Sequence, residues 1–305
     1  MATQKINIKP HLALLATNLF FAINFTAVKH LINQHLIQPF GLNLSRMLVT
    51  TLMLWVLYLI SPVKQKIQPI HYKRFLICAL MGITINQLLF IKGLSMTHSI
   101  HASLLMLTTP IFITVLAFFF FKENITTRKI LGLILGVAGA AILILGRNHQ
   151  QQGMNVWMGD LLVMINAACY SYYFILVKPL MKRYHPITVL RIVFTIGTII
   201  ALPVCWGEFV QTPWNSFSHL DLGVLLFICT AGTFFAYLFN IYGIKHLGAS
   251  VSGSYIYTQP VFAALIAVYF NMDQFDLYKL IAACSIFSGV YLITQVQSKS
   301  ITEHE

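Results

Sequence analysis

Charge is what this chain has least of. Of its 305 residues, 9% are Asp, Glu, Lys or Arg, against about 25% in an ordinary soluble domain. A soluble protein with one core is excluded on that count. Acidic residues are scarcest: eight, beside twenty Lys and Arg, for a formal charge of +12. The basic residues stand in short clusters between apolar runs and form no long stripe. That distribution argues against a nucleic-acid partner and matches the pattern set by membrane insertion. Cysteine is sparse and unpatterned. Cys78, Cys169, Cys205, Cys229 and Cys284 form no CxxC and no Cys/His pair at metal spacing, so they read as small packing residues, with no disulfide framework and no metal site. Catalytic signatures are missing too: no HExxH, no GxSxG and no phosphate-cradling GxxxxGK[ST]. No enzyme chemistry, cofactor or direct use of ATP is expected.

What is present is apolar sequence, 58% of the chain, which also excludes disorder. A helix needs about 20 apolar residues to cross a bilayer. Runs fall near 11–30, 41–60, 74–94, 99–121 and 129–146, then near 157–178, 187–206, 220–243, 249–270 and 277–296. The first run lacks a small-residue cleavage site and contains Asn18 and Asn24, so it is expected to be a retained span and not a signal peptide. Short loops predict antiparallel neighbours. With the N-terminus in the cytoplasm, fourteen Lys and Arg fall on the inner side and four on the outer. Both termini are therefore expected to be cytoplasmic.

A shift of 150 residues lays the second half on the first. Gly82 meets Gly232, Gly93 meets Gly243, Pro110 meets Pro260, Phe120 meets Phe270, and Gly139 meets Gly289. At slightly smaller offsets Val28-Lys29 meets Val177-Lys178, and Arg46 meets Arg191. Five spans per half is an odd number, so the second half enters the membrane from the opposite side. The expected fold is an all-α membrane protein of ten transmembrane helices, built as two inverted five-helix repeats over 1–150 and 151–305. Secondary transporters use this architecture repeatedly.

The paired stretches also carry a family resemblance. GLSMTHSIHASLLMLTTPIFITVLAFFFFKENITTRKILGLILGVAGAAILI and GIKHLGASVSGSYIYTQPVFAALIAVYFNMDQFDLYKLIAACSIFSGVYLI each resemble the end of an EamA domain. Their shared elements are a fourth helix with Ala and Ser, a central Pro, an acid after it and a small-residue fifth helix. The second copy departs at Ala282, Ile286 and Asp273. The resemblance covers nearly the whole chain, twice, and implies the drug/metabolite transporter superfamily. It implies a bacterial inner membrane protein, a cavity between the halves, alternating access, and small-molecule substrates of which amino acids and their derivatives come first.

The spans themselves nominate site residues. Polar side chains in hydrocarbon need partners, so Asn18, Asn24, Asn86, Gln87, Tyr170, Tyr173, Tyr237, Asn240, Tyr257 and Gln259 are expected to face inward. Singly, each reads as an interhelical hydrogen bond before a ligand contact. Together they describe a neutral, amide- and tyrosine-rich lining, suited to a zwitterionic or amphipathic metabolite. Pro110 and Pro260 predict kinks that free the carbonyls of Met106 and Ile256 and act as hinges. Arg46 and Arg191 at matching positions suggest a shared architectural job, with a substrate carboxylate on Arg46 as the alternative. Asp160 is the one acid near a span interior. His98 and His101 are the possible switches if protons drive transport. Gly132, Gly136 and Gly139 form a small-residue face, for packing within a monomer or a homodimer contact. The competing class is a polytopic sensor or lipid-handling enzyme. No soluble output domain and no interfacial acid or His cluster favours it.

Overall fold

The computed structural model describes residues 8–62, 64–121, 127–145, 155–270 and 276–302. Those residues are all-helical and contain no strand. Among the described residues, six helices are long and apolar enough to cross a membrane: Ile8–Asn33, Pro39–Ile60, Pro69–Met96, Val156–Arg183, Pro186–Val210 and His219–Leu247.

In chain order, α1 is Ile8–Asn33 and α2 is Pro39–Ile60. The third apolar run is α3 (Tyr72–Ala79) and α4 (Ile85–Met96), joined by a π-helical turn over Leu80–Thr84. Next come α5 (Ser99–Met106), α6 (Thr109–Phe121) and α7 (Thr127–Leu145). The second half runs through α8 (Val156–Arg183), α9 (Pro186–Val210) and α10 (His219–Cys229). A second π turn, Thr230–Phe235, leads to α11 (Ala236–Ser254), then a 3-10 turn at Tyr255–Tyr257, α12 (Thr258–Tyr269) and α13 (Leu277–Thr302).

Starts and stops follow local chemistry. α2 and α9 each open on a proline, whose missing N–H is no loss in the first turn. The α2 start is capped from another element: Glu208 Oε2 accepts from Phe40 N at 2.6 Å and Gly41 N at 3.2 Å. α10 opens on a capping box between Ser218 and Asp221. Both prolines expected at mid-span instead sit in the first turn of a new segment, α6 and α12. The helix breaks just before each, because proline disfavours helical geometry in the residue preceding it. The Met106 carbonyl, expected to be free, accepts the Thr109 hydroxyl at 2.6 Å. The loop expected between 220–243 and 249–270 is helical as well: α11 continues through it to Ser254.

The packing is inside-out by the standards of a soluble protein. Leu52, Leu59, Ile199 and Leu265 are about two-thirds exposed, while Asn18, Asn43, Arg46, Gln87, Asp160 and Asn166 are buried. In water such outward apolar surface would drive association; against acyl chains it costs nothing. Two cores fill the interior, one around Phe25, Leu31 and Leu105, the other around Phe75, Phe194 and Tyr173. α2 packs along α9, α1 along α11, α4 along α8, and α7 along α13. The small-residue face of α7 is used within the chain. A side chain at Gly139 would strike Ile286, and one at Gly289 would strike the Gly132 carbonyl. The second-half departures at Ala282 and Ile286 thus complement the glycines they face.

Candidate functional site

A cavity of about 750 Å³, its opening included, lies between α1, α2, α4, α8, α11 and α12. Of the residues nominated from sequence, Asn18, Asn24, Asn86, Gln87, Tyr170, Tyr237, Asn240 and Gln259 line it, and Arg46 joins them. Tyr173 does not. It is buried beside Tyr170, whose ring it stacks on at 6.0 Å, and packs against Gly82 of the first π turn, where a β-carbon could not fit. The side chains of Tyr257 and Pro110 lie outside the described residues. Pro260 is buried, and Met106 and Ile256, four residues before the two prolines, both line the cavity.

The π turn positions Asn86 and Gln87. An added residue in one turn re-phases the helix that follows, and such turns are common at functional sites. Most lining amides then cross-link helices. Asn166 Nδ2 donates to Asn86 O at 2.7 Å, and Asn86 Nδ2 donates back to Asn166 O at 3.3 Å. Gln259 Nε2 donates to Asn18 Oδ1 at 2.7 Å. Gln87 Nε2 donates to Tyr237 Oη at 3.3 Å, and Asn240 Nδ2 to Tyr170 Oη at 2.8 Å. Several polar atoms remain over. Asn24 Oδ1, Gln87 Oε1, Asn166 Oδ1, Ser252 Oγ and Arg46 Nη1 are buried with no hydrogen-bond partner among the described residues.

The walls are more aromatic than the polar inventory implied. Phe21, Phe25, Phe90 and Phe174 line the cavity, with Phe25 edge-on to Phe90 at 5.5 Å. A phenylalanine reads the same whether it faces lipid or ligand. The available signal was position: Phe21 and Phe25 stand three and seven residues after Asn18, on its face of α1.

The matched arginines part company. Arg46 is 3% exposed and its Nε donates to Thr233 Oγ1 at 3.0 Å. Arg191 lies over the rings of Trp55 at 4.3 Å and Tyr58 at 3.8 Å, and does not line the cavity.

Two polar contacts lie outside the cavity lining, towards opposite ends of α1. Near Lys29, Asp160 is fully enclosed, accepts the Thr97 hydroxyl and lies 3.0 Å from His101 Nδ1. His101 Nε2 is 3.1 Å from Tyr278 Oη, and Lys29 Nζ donates to Thr97 O at 2.7 Å. Sequence suggested these residues separately; 59 positions part Asp160 from His101, and only the fold joins them. Eighteen residues back along α1, about 27 Å at helical rise, His11 Nδ1 meets Tyr255 Oη at 2.7 Å.

Long apolar helices around a polar, aromatic chamber define a multi-pass membrane protein of the transporter class. The EamA-like transporter family matches the chain at residues 8–145 and again at 157–295, and the chain belongs to that family. An uncharacterized transporter of Archaeoglobus fulgidus is 25% identical, over 96% of this chain and 99% of its own length. A WAT1-related protein of Arabidopsis thaliana is 25% identical over 74% of this chain and 68% of its own. A probable terminal-alkyne amino-acid exporter of Streptantibioticus cattleyicolor is 28% identical over 42% of each chain. One solved crystal structure shares the fold at a TM-score of 0.64 and 16% identity, covering 95% of this chain and 98% of its own.

Proposed function

We propose that the chain is a secondary transporter that moves a small organic metabolite across the bacterial inner membrane, with both termini cytoplasmic. The substrate is an amino acid, an amino-acid derivative or a similar amphipathic solute. The observation that carries this reading is the cavity itself: amides and tyrosines from both halves enclosed by phenylalanine walls. Neutral polar groups orient a solute, and aromatic surface takes its apolar body. The amino-acid exporter among the relatives points the same way.

Alternating access rests on two inverted repeats, 1–150 and 151–305. Contacts that swap between halves support them. Gly82 of the first π turn packs on Tyr173 of α8; Gly232 of the second packs on Asn24 of α1. Tyr173 and Asn24 are 149 residues apart, the offset that aligns α8 with α1. Thr108 Oγ1 donates to Leu105 O at 2.7 Å, and Thr258 Oγ1 to Tyr255 O at 2.8 Å, one shift of 150 apart. The two proline segments then serve as hinges beside the cavity, while the Asp160–His101 and His11–Tyr255 contacts close its two ends in turn.

Proteoliposomes loaded with labelled amino acids and amphipathic metabolites test this directly. Exchange of at least one class is expected, with altered rates but ordinary expression in Pro110→Ala and Pro260→Ala. Absence of movement for every solute in either direction rejects transport.

A further inference from the structure

We propose that the cavity recognises a monocarboxylate bearing an N–H donor, its carboxylate seated on Arg46; the proposal rests on the transport reading and narrows its substrate. Among the described residues that line the cavity, Arg46 alone is charged, and no acid accompanies it there. It is 3% exposed, seven residues into α2 from Pro39. Thr233 Oγ1 takes its Nε, while Nη1 has no partner among the described residues. An arginine inside a membrane helix is costly unless paired or able to snorkel. Arg191, at the matching place, lies on the faces of two aromatic rings. Arg46 has no such outlet, so its counter-ion is to be supplied by the solute.

Charge and geometry select that solute. A guanidinium fixed at Nε still presents a planar set of donors that fits a carboxylate. One positive charge balances one negative charge. A phosphate monoester would bring a second negative charge into aromatic walls where no second cation lines the cavity. Of the remaining unpartnered atoms, Asn24 Oδ1, Gln87 Oε1 and Asn166 Oδ1 are acceptors, and the Ser252 hydroxyl can accept or donate. The Asn166 amide cannot be turned round, because its Nδ2 donates to a backbone carbonyl. Such oxygens call for N–H donors, and an α-ammonium group provides them, its charge met by these amide dipoles while the carboxylate pairs with Arg46.

The test uses purified full-length protein and the proteinogenic amino acids, each in a triad with its α-amide and its desamino acid. Thermal stabilisation is read for every member, and proteoliposome uptake for those that stabilise. Amino acids of at least one side-chain class are expected to stabilise the protein, their desamino acids less, and their amides not at all. Arg46→Gln is expected to weaken that response by about 10- to 100-fold in apparent Kd, with Arg46→Lys between the two. Amides that stabilise as well as their acids overturn the carboxylate assignment and leave transport standing. So does an undiminished response in a folded Arg46→Gln protein. The wild-type comparison of acid with amide decides the matter even where the variant fails to fold. Silence across all triads overturns the assignment and leaves transport standing, unless the wider proteoliposome panel also moves nothing, in which case both readings fall.

Discussion

The two halves of this protein share a backbone plan and divide the chemistry unequally. Each has a π turn, a helix broken before a proline, and an arginine early in its second helix. Yet Arg46 is buried in the cavity wall while Arg191 lies on surface aromatic rings. Asp160 and His101 belong to an enclosed network near Lys29; His11 and Tyr255 touch more simply near the start of α1. Duplication repeats the backbone plan, because helix phase and crossing are inherited together. It does not repeat the surroundings: the same residue type meets the cavity in one copy and aromatic rings in the other.

The largest break in that comparison should come from the arginines. Arg46→Gln removes a cation from the cavity and is expected to cut ligand affinity by one to two orders of magnitude, as a charge-assisted hydrogen bond is worth about 1.5–3 kcal/mol. Arg191→Gln should leave affinity alone. It loses two cation–π contacts, worth about 0.5–2 kcal/mol together, and should show as a lower unfolding midpoint. Equal loss of binding in both variants would mean that the arginines share one role after all.

The π-turn glycines sharpen the same contrast. Alanine at Gly82 meets the body of the buried Tyr173 ring, and overpacking of that kind costs about 1–3 kcal/mol. Alanine at Gly232 meets the Asn24 amide, 2.6 Å from Oδ1. Gly82→Ala is therefore expected to lower stability with little change in ligand preference. Gly232→Ala should disturb the cavity and alter binding more than stability. Paired thermal and ligand titrations separate the two outcomes.

Such contrasts also show what the sequence could reveal. The 150-residue shift matched the glycines and prolines, and a slightly smaller offset matched the arginines, because repeated letters at fixed spacing survive without any coordinates. The polar residues in apolar runs predicted most of the polar lining, because a buried amide must turn inward. Tyr170 and Tyr173 could not be told apart. Both lie on the protein-facing side of α8, three residues apart with their rings stacked at 6.0 Å, so periodicity does not distinguish cavity from core. The Asp160–His101 contact was hidden for another reason: residues 59 apart on different helices leave no periodic trace. The α5–α6 break was placed at proline itself, while the chain breaks one to three residues earlier, where proline's steric demand falls.

The two ends give a smaller effect. Asp160→Asn replaces a carboxylate that accepts from Thr97 and His101 with an amide that can accept through one oxygen only. A loss of about 1–3 kcal/mol is expected. His11→Phe removes a single partly buried contact to Tyr255 and should cost about 0.5–1.5 kcal/mol. Thermal unfolding ranks the pair, and a larger loss at His11 would reverse the view of which end is the firmer seal.

The smallest effect concerns the α8–α9 turn, outside the spans. His185 caps α9, its Nδ1 accepting from Ile187 N at 3.4 Å. Partial burial, then the nearby Lys245 charge, hold its pKa below the ordinary histidine value. Only the neutral ring can accept that N–H, so protonation and capping oppose each other. A depressed pKa in the folded state means that this contribution is fully present above the unfolded histidine pKa, about 6.5, and is lost as pH falls through the lower folded value. Wild type should therefore lose slightly more stability than His185→Asn between neutral and mildly acidic pH, since asparagine caps without titrating. Parallel pH profiles of the two proteins would expose a different origin for any acid sensitivity.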